Sequence, residues 1–203
     1  MTPDHRHLII MAKAPRIGRV KSRLAADIGR VAAWTFYRRT LRDVTRRLAN
    51  DPRWSTWLGV SPDSWAAPGA PWPLACPRLA QGEGDLGARM ARLLDDVPCG
   101  PAVLVGADIP GIRPEHIEAA FRLLGNHDAV FGPATDGGFW LVGLRRRPTP
   151  GRLFDGVRWS TSHTLADTLA NLPSGWRWGE AATLDDVDDV KAFSALGTGG
   201  AKG

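Results

Sequence analysis

Pro101-Ala-Val-Leu-Val-Gly-Ala-Asp-Ile-Pro110 holds the clearest strand of the chain, an apolar run over Pro101–Ala107 that stops at Asp108. A short run without alternation reads as a strand buried on both faces. The next helix opens at Pro114, where proline's missing N–H has no helical partner to lose. Upstream, His7-Leu-Ile-Ile-Met-Ala12 is a second buried strand. Between the two lie a loop over Lys13–Arg23 broken by Pro15 and Gly18, and then a helix. That helix is predicted after Gly29 by the spacing of Trp34, Leu41, Val44 and Leu48. Trp54–Val60 reads as a strand, 61–73 as a loop rich in Pro, Ala and Trp, and Leu74–Ala80 as a weak strand. The Gly-rich Gln81–Gly87 leads into a helix through about Leu94. Downstream, strands over Asp128–Pro133 and Phe139–Leu144 flank Ala-Thr-Asp-Gly-Gly. A helix from Ser160 to about Leu172, a short strand near Trp176 and a last helix from about Asp188 to Leu196 complete the pattern. Strands alternating with helices, with no repeat or linker, predict one α/β three-layer domain over 1–196 with a mainly parallel sheet. The Gly-rich tail 197–203 is expected to be flexible.

Composition narrows the classes. The chain has 203 residues, 43% hydrophobic and 23% charged, which excludes disorder, collagen and small disulfide scaffolds. Cys76 and Cys99 make no C-x-x-C pair, so a reduced, cytoplasmic setting is the simplest expectation. The apolar run Leu8–Ala12 is too short for a membrane span and lacks signal-peptide form, so neither secretion nor membrane insertion is expected. The net charge of +5 is unevenly spread: residues 1–53 hold 13 Lys/Arg against 4 Asp/Glu, leaving 13 against 17. A basic front and an acidic remainder fit nucleic-acid binding, a site where phosphates meet cation-holding carboxylates, or plain solvated surface. The nine tryptophans show no aromatic–basic interleave, so they read as core or pocket wall and no specific nucleic-acid platform is expected.

In parallel sheets ligands gather at the carboxyl ends of strands, which singles out four loops. Lys13-Ala-Pro-Arg-Ile-Gly-Arg-Val-Lys-Ser-Arg23 places Lys13, Arg16, Lys21, Arg23 and Gly18 between the first strand and the first helix. Backbone N–H groups and full charges there suit a phosphate, and the alternative is a basic surface loop. It is not a Walker loop, because the Gly-Lys-Ser adjacency is missing. Asp108, at the end of a buried strand, is costly unless paired or coordinating a cation, and it suits Mg²⁺ against phosphate, or else caps the next turn. Asp136-Gly137-Gly138 gives either close backbone approach to a ligand or an ordinary hairpin turn. In Leu184-Asp-Asp-Val-Asp-Asp189, Asp186 and Asp188 project to one side if extended; the alternative, a helix N-terminus, suits Asp189 better. Ser160, Thr161 and His163 contain a helix cap, and His163 could reach substrate.

Two motifs are set aside. Gly82-Glu-Gly-Asp-Leu-Gly87 fits G-x-G-x-x-G, but its preceding strand is weak and contains Pro77, so it is not a dinucleotide fingerprint. The five histidines have no zinc spacing beyond His5-x-His7.

Taken in order, these segments resemble the GT-A-type nucleotide-diphospho-sugar transferase superfamily, and within it the rSAM/selenodomain-associated transferases, usually labelled glycosyltransferases. The resemblance rests on Met11-Ala-Lys-Ala-Pro-x-x-Gly-x-Val-Lys-Ser-Arg-Leu24 and Gln81-Gly-x-Gly-Asp-Leu-Gly-x-Arg-Met90. It continues through Gly106-Ala-Asp-x-Pro110, Gly132-Pro-Ala-x-Asp-Gly-Gly-Phe139, Trp159-Ser-Thr161 and Asp186-Val-Asp188. Ile17 departs from a common proline, and Asp189-Val190 departs from the superfamily's usual Thr-Pro. The 2-phospho-L-lactate guanylyltransferases share a segment like Lys21–Ala25 and a pair like Ser160 and His163.

The resemblance implies a GT-A-like (Rossmann-like) single domain. It also implies a metal-dependent transferase with a nucleotide-activated donor, a nucleotide sugar with a small-molecule acceptor. The alternatives are a nucleotidyltransferase joining a nucleoside triphosphate to a small phosphorylated acid, and an idle nucleotide-binding module. By the same resemblance Asp108 and Asp188 hold Mg²⁺ or Mn²⁺, while Lys13, Arg16, Gly18, Lys21 and Arg23 serve the phosphates. Gln81, Gly82, Asp85 and Gly87 serve the base or ribose. Asp136 and Lys21 act in catalysis, and Gly137, Gly138, Trp159, Ser160, Thr161 and His163 face the transferred group or acceptor.

Overall fold

Strand β1 (His7–Lys13) lies between β2 (Ser55–Ser61) and β4 (Ala102–Gly106), parallel to both, with Leu8 opposite Val103 and Ile10 opposite Val105. The computed structural model describes residues 5–67, 72, 76–145, 151–190 and 192–194. Outward from β2 lies the short β3 (Arg78–Ala80); beyond β4 come β6 (Phe139–Leu144), β5 (Ala129–Pro133) and β7 (Trp178–Glu180). The order is β3-β2-β1-β4-β6-β5-β7, and β6 alone runs antiparallel to its neighbours. The sheet is thus mainly parallel and mixed, as the alternating pattern predicts.

The pleat sorts side chains onto two helical layers. Leu8, Ile10, Leu58 and Val105 face α2 (Arg30–Ala49) and α4 (Pro114–Leu124), packing with Leu41, Val44, Ile117 and Phe121. Ile9, Leu104, Phe131 and Val142 face α3 (Leu86–Asp96) and the stretch before α5 (Thr164–Ala170), packing with Met90, Leu93, Leu94, Leu153 and Phe154. A run of apolar residues without alternation, read in the sequence as buried on both faces, does bury both. Among the described residues no helix is long and apolar enough to cross a membrane.

Three expectations change. The loop after β1 ends earlier than the sequence suggests, because Ser22–Ile28 forms a separate helix, α1. Gly29, at φ 85°, turns the chain between α1 and α2, a conformation glycine adopts without a Cβ clash. Ser160 does not open α5: its φ of 60° is left-handed, and the helix begins at Thr164. Instead Thr161 Oγ1 accepts from the His163 N–H at 3.2 Å, ahead of the helix. The strand expected over Leu74–Ala80 shortens to β3, residues 73–75 lying outside those described, as do 195–196 of the last helix and the tail 197–203.

Candidate functional site

Because β6 runs against the sheet, its N-terminal end meets the carboxyl ends of β1, β4 and β5 at one edge. The four loops singled out by sequence therefore converge there, around a cavity of about 820 Å³. At its floor lie Asp108, just past β4, and Asp186 and Asp188, on the irregular segment after β7. One carboxylate oxygen from each lies within 4.8 Å of the others. The Lys21 ammonium sits among them, its side chain only 3% exposed, donating at 2.7 Å to Asp108 Oδ2, 2.6 Å to Asp188 Oδ1 and 3.4 Å to Asp186 Oδ2.

The charges explain one another. Burial alone would lower the proton affinity of Lys21, but Asp108 and Asp188 outweigh it and hold the ammonium above its ordinary range. Burial likewise lifts Asp186 above the usual carboxylate range, helped by its acidic neighbours. Burial pushes Asp188 the same way, but hydrogen bonding and charge from Lys21 reverse it and keep that carboxyl low. Three carboxylate oxygens around the Lys21 ammonium form a hard donor set that could hold a metal ion.

Other site residues are held by backbone work. Tyr37, on α2, accepts from the Lys13 N–H at 2.9 Å and donates to the Lys13 carbonyl at 2.8 Å, clamping the end of β1 beside the carboxylates. Burial, then Asp108, raises its phenol well above normal. Gln81 is buried, and its amide nitrogen donates to the carbonyls of Ala12 (3.1 Å) and Gly59 (2.9 Å), joining β1 and β2. With both amide hydrogens committed, a ligand can meet only its oxygen. Asp136 accepts from the Gly138 N–H at 2.8 Å and also lines the cavity, so the turn and the ligand-facing readings coexist. Asp185 accepts from Thr135 N–H and Oγ1, tying the acidic segment to this turn.

The structure brings Lys13, Lys21, Arg23, Gln81, Asp85, Asp108, Asp136, Gly138, Trp159, Ser160, Thr161 and Asp188 to the cavity wall. Arg16, Gly18, Gly82, Gly87, Gly137 and His163 do not line it, for identifiable reasons. Arg16 is exposed, and Gly18, at φ 74°, makes a turn in the loop. A Cβ on Gly82 would strike Arg92, whose guanidinium donates to the Gln81 carbonyl. Gly87 lies against Phe154 and Trp159, and Gly137 against the Ser162 backbone. His163 is exposed at the head of α5. Asp85 caps α3 through the Ala88 N–H at 2.8 Å.

Among the wall residues without a role in the sequence reading are Tyr37, hidden in a helical apolar stripe, Arg89, quoted only as part of a motif, and Asp186, paired with Asp188 but not assigned to the metal. The Asp-x-Asp alternation was the available signal for Asp186.

Comparison with known proteins agrees with this architecture. A family model described as an uncharacterized protein conserved in bacteria, DUF2064, matches residues 41–161. No curated protein matches the chain. Among solved structures, a candidate nucleotide-diphospho-sugar transferase from Desulfovibrio desulfuricans G20 is 28% identical, with a TM-score of 0.84 over 94% of this chain and 85% of that one. A CMP:2-keto-3-deoxy-manno-octonic acid synthetase complexed with CTP is 13% identical, with a TM-score of 0.59 over 95% and 96% of the two chains. Glucosyl-3-phosphoglycerate synthase from Mycobacterium tuberculosis, bound to Mn²⁺, UDP and glucosyl-3-phosphoglycerate, is 10% identical, with a TM-score of 0.53 over 96% and 75%. The chain belongs to the DUF2064 family, and its fold is that of the GT-A-type nucleotide-diphospho-sugar transferases.

Proposed function

We propose that this chain is a metal-dependent transferase that takes a nucleotide sugar and delivers its glycosyl group to a small acceptor. The observation that carries the reading is the trio Asp108, Asp186 and Asp188 on the floor of a cavity of about 820 Å³. That volume suits a nucleotide-sized ligand. The trio would hold Mg²⁺ or Mn²⁺, which when bound offsets charge developing on a departing diphosphate. Lys13 and Arg23 line the same cavity and add positive charge beside the phosphates. The free oxygen of Gln81 is an acceptor for an N–H of the base. Asp136 keeps one carboxylate oxygen outside its turn bond, in position to accept a proton from an acceptor hydroxyl.

A second reading is nucleotidyl transfer to a small phosphorylated acid, with pyrophosphate leaving. One observation favours it: Lys21 and Arg23 stand beside Asp188, at 2.6 and 3.9 Å, with Lys13 on the same cavity wall, cations that the extra charge of a triphosphate would use. The test is ³¹P NMR of the protein with Mg²⁺ and panels of nucleotide sugars or nucleoside triphosphates plus small phosphorylated acceptors. Release of a nucleoside diphosphate supports glycosyl transfer. Release of pyrophosphate replaces it with the second reading. Tight nucleotide binding without either product would make the chain an idle binding module.

A further inference from the structure

The Lys21 ammonium is within hydrogen-bonding distance of all three carboxylates, so it lies near their common centre rather than at the edge of the cluster. A small divalent cation on the same oxygens would sit about 2.0–2.1 Å from each. The ammonium and a metal ion cannot both fill that space. We propose that Lys21 and the divalent cation exchange for one seat, so that the metal-free chain is held closed by its own side chain. The proposal rests on the metal reading above.

Three further observations fit exchange. Three carboxylates exceed the single charge Lys21 brings, so the seat is better matched by a dication than by the ammonium that fills it. The backbone at Lys21 is left-handed, φ 48° and ψ 52°, an unfavourable conformation for a residue with a Cβ, so release can relax it. The lysine stem is flexible, and Lys13 and Arg23 line the same cavity, so the phosphates of a donor held there would give a displaced ammonium an anionic partner. Metal alone must then evict Lys21 without compensation, whereas metal bound to a phosphorylated donor supplies a new partner for it. Metal and donor should therefore bind more tightly together than separately.

The test is Mn²⁺ binding to the nucleotide-free protein, followed by electron paramagnetic resonance, for the natural chain, Lys21→Met and Lys21→Met/Asp108→Asn. Exchange predicts that Lys21→Met binds Mn²⁺ about 10- to 100-fold more tightly than the natural chain, the worth of a charge-assisted contact removed from competition. It also predicts that the added Asp108→Asn change abolishes the gain. Unchanged or weaker binding in Lys21→Met, with Asp108→Asn still destroying it, overturns exchange and leaves the metal reading standing. Absence of Mn²⁺ binding in both the natural chain and folded Lys21→Met overturns both. Should Lys21→Met fail to fold, the natural chain decides the matter: amine acetylation read by mass spectrometry should proceed at least several-fold faster at Lys21 with saturating Mn²⁺ than without. Equal rates refute exchange.

Discussion

Tyr37 shows how a single side chain can sit in a core stripe and still serve the site. It lies three residues after Trp34 and four before Leu41, on the buried face of α2, so periodicity files it with the core. Only the crossing of β1 over that helix gives its hydroxyl two partners, the N–H and carbonyl of Lys13. Tyr37→Phe is expected to cost about 0.5–1.5 kcal/mol, because it removes the partner of two part-buried backbone groups. Urea denaturation checks this; an unchanged midpoint would show that the clamp is not structural. At Lys21 the lever is charge. Lys21→Ala should weaken binding of a phosphorylated donor about 10- to 100-fold while sparing the bare nucleoside, one charge-assisted contact being lost. Equal losses for both ligands, measured by calorimetry, would return the loop to a purely structural role.

Helix α3 and the stretch after Leu153 meet at Gly87, where an added Cβ would lie 2.6 Å from Phe154 Cβ and 2.8 Å from Trp159 Cζ2. Gly87→Ala is accordingly expected to destabilise by about 1–3 kcal/mol through overpacking and to shift Trp159 in the cavity wall. Thermal unfolding and tryptophan fluorescence read the two effects. The same stretch is pinned to α5 by Arg158, which donates to Asp167 at 2.8 and 2.7 Å. Those hydrogen bonds lower the Asp167 carboxyl from 3.8 to about 2. A folded-state value below the unfolded one means the contribution is present above pH 3.8 and fades as pH falls toward 2. Asp167→Asn should therefore lower stability slightly above pH 3.8, the exposed pair being screened, leave it unchanged below about pH 2, and so flatten the acid limb between them; an identical acid limb would contradict the assignment. These elements also show what was legible in the sequence. The buried strands β1 and β4 and the apolar stripe of α2 announce themselves through pattern, and with them the loops at the strand ends. Helix α1 does not, and α5 does so only with shifted bounds: each is seven residues, and their starts depend on the left-handed Lys21 and Ser160, which no propensity marks. Asp186 entered the trio because the segment after β7 is held along β5, with the N–H groups of Ala181 and Leu184 donating to the carbonyls of Phe131 and Pro133, a matter of tertiary packing.

Across the whole molecule the basic first quarter separates into two populations. Lys13, Lys21 and Arg23 line the cavity, while Arg38, Arg39, Arg42 and Arg46 are exposed along α2, with Arg38 stacked over Trp34 and Arg42 paired to Asp43. The division fits a small phosphorylated ligand in the cavity and a solvated helix face outside it. Only weak, strongly salt-dependent nucleic-acid binding is expected at about 150 mM salt. Submicromolar affinity that disappears on neutralising Arg38, Arg42 and Arg46 would contradict this. The central claim is that Asp108, Asp186 and Asp188 join a divalent metal to the phosphates of a nucleotide. Its most direct test is calorimetric titration of a nucleoside diphosphate into the natural chain and Asp108→Asn, each with and without Mn²⁺. Mn²⁺ should tighten binding to the natural chain at least about 10-fold, one charge-assisted contact or more, and Asp108→Asn should erase the difference. Binding of equal strength with and without Mn²⁺, or a Mn²⁺ effect that survives in Asp108→Asn, would contradict it.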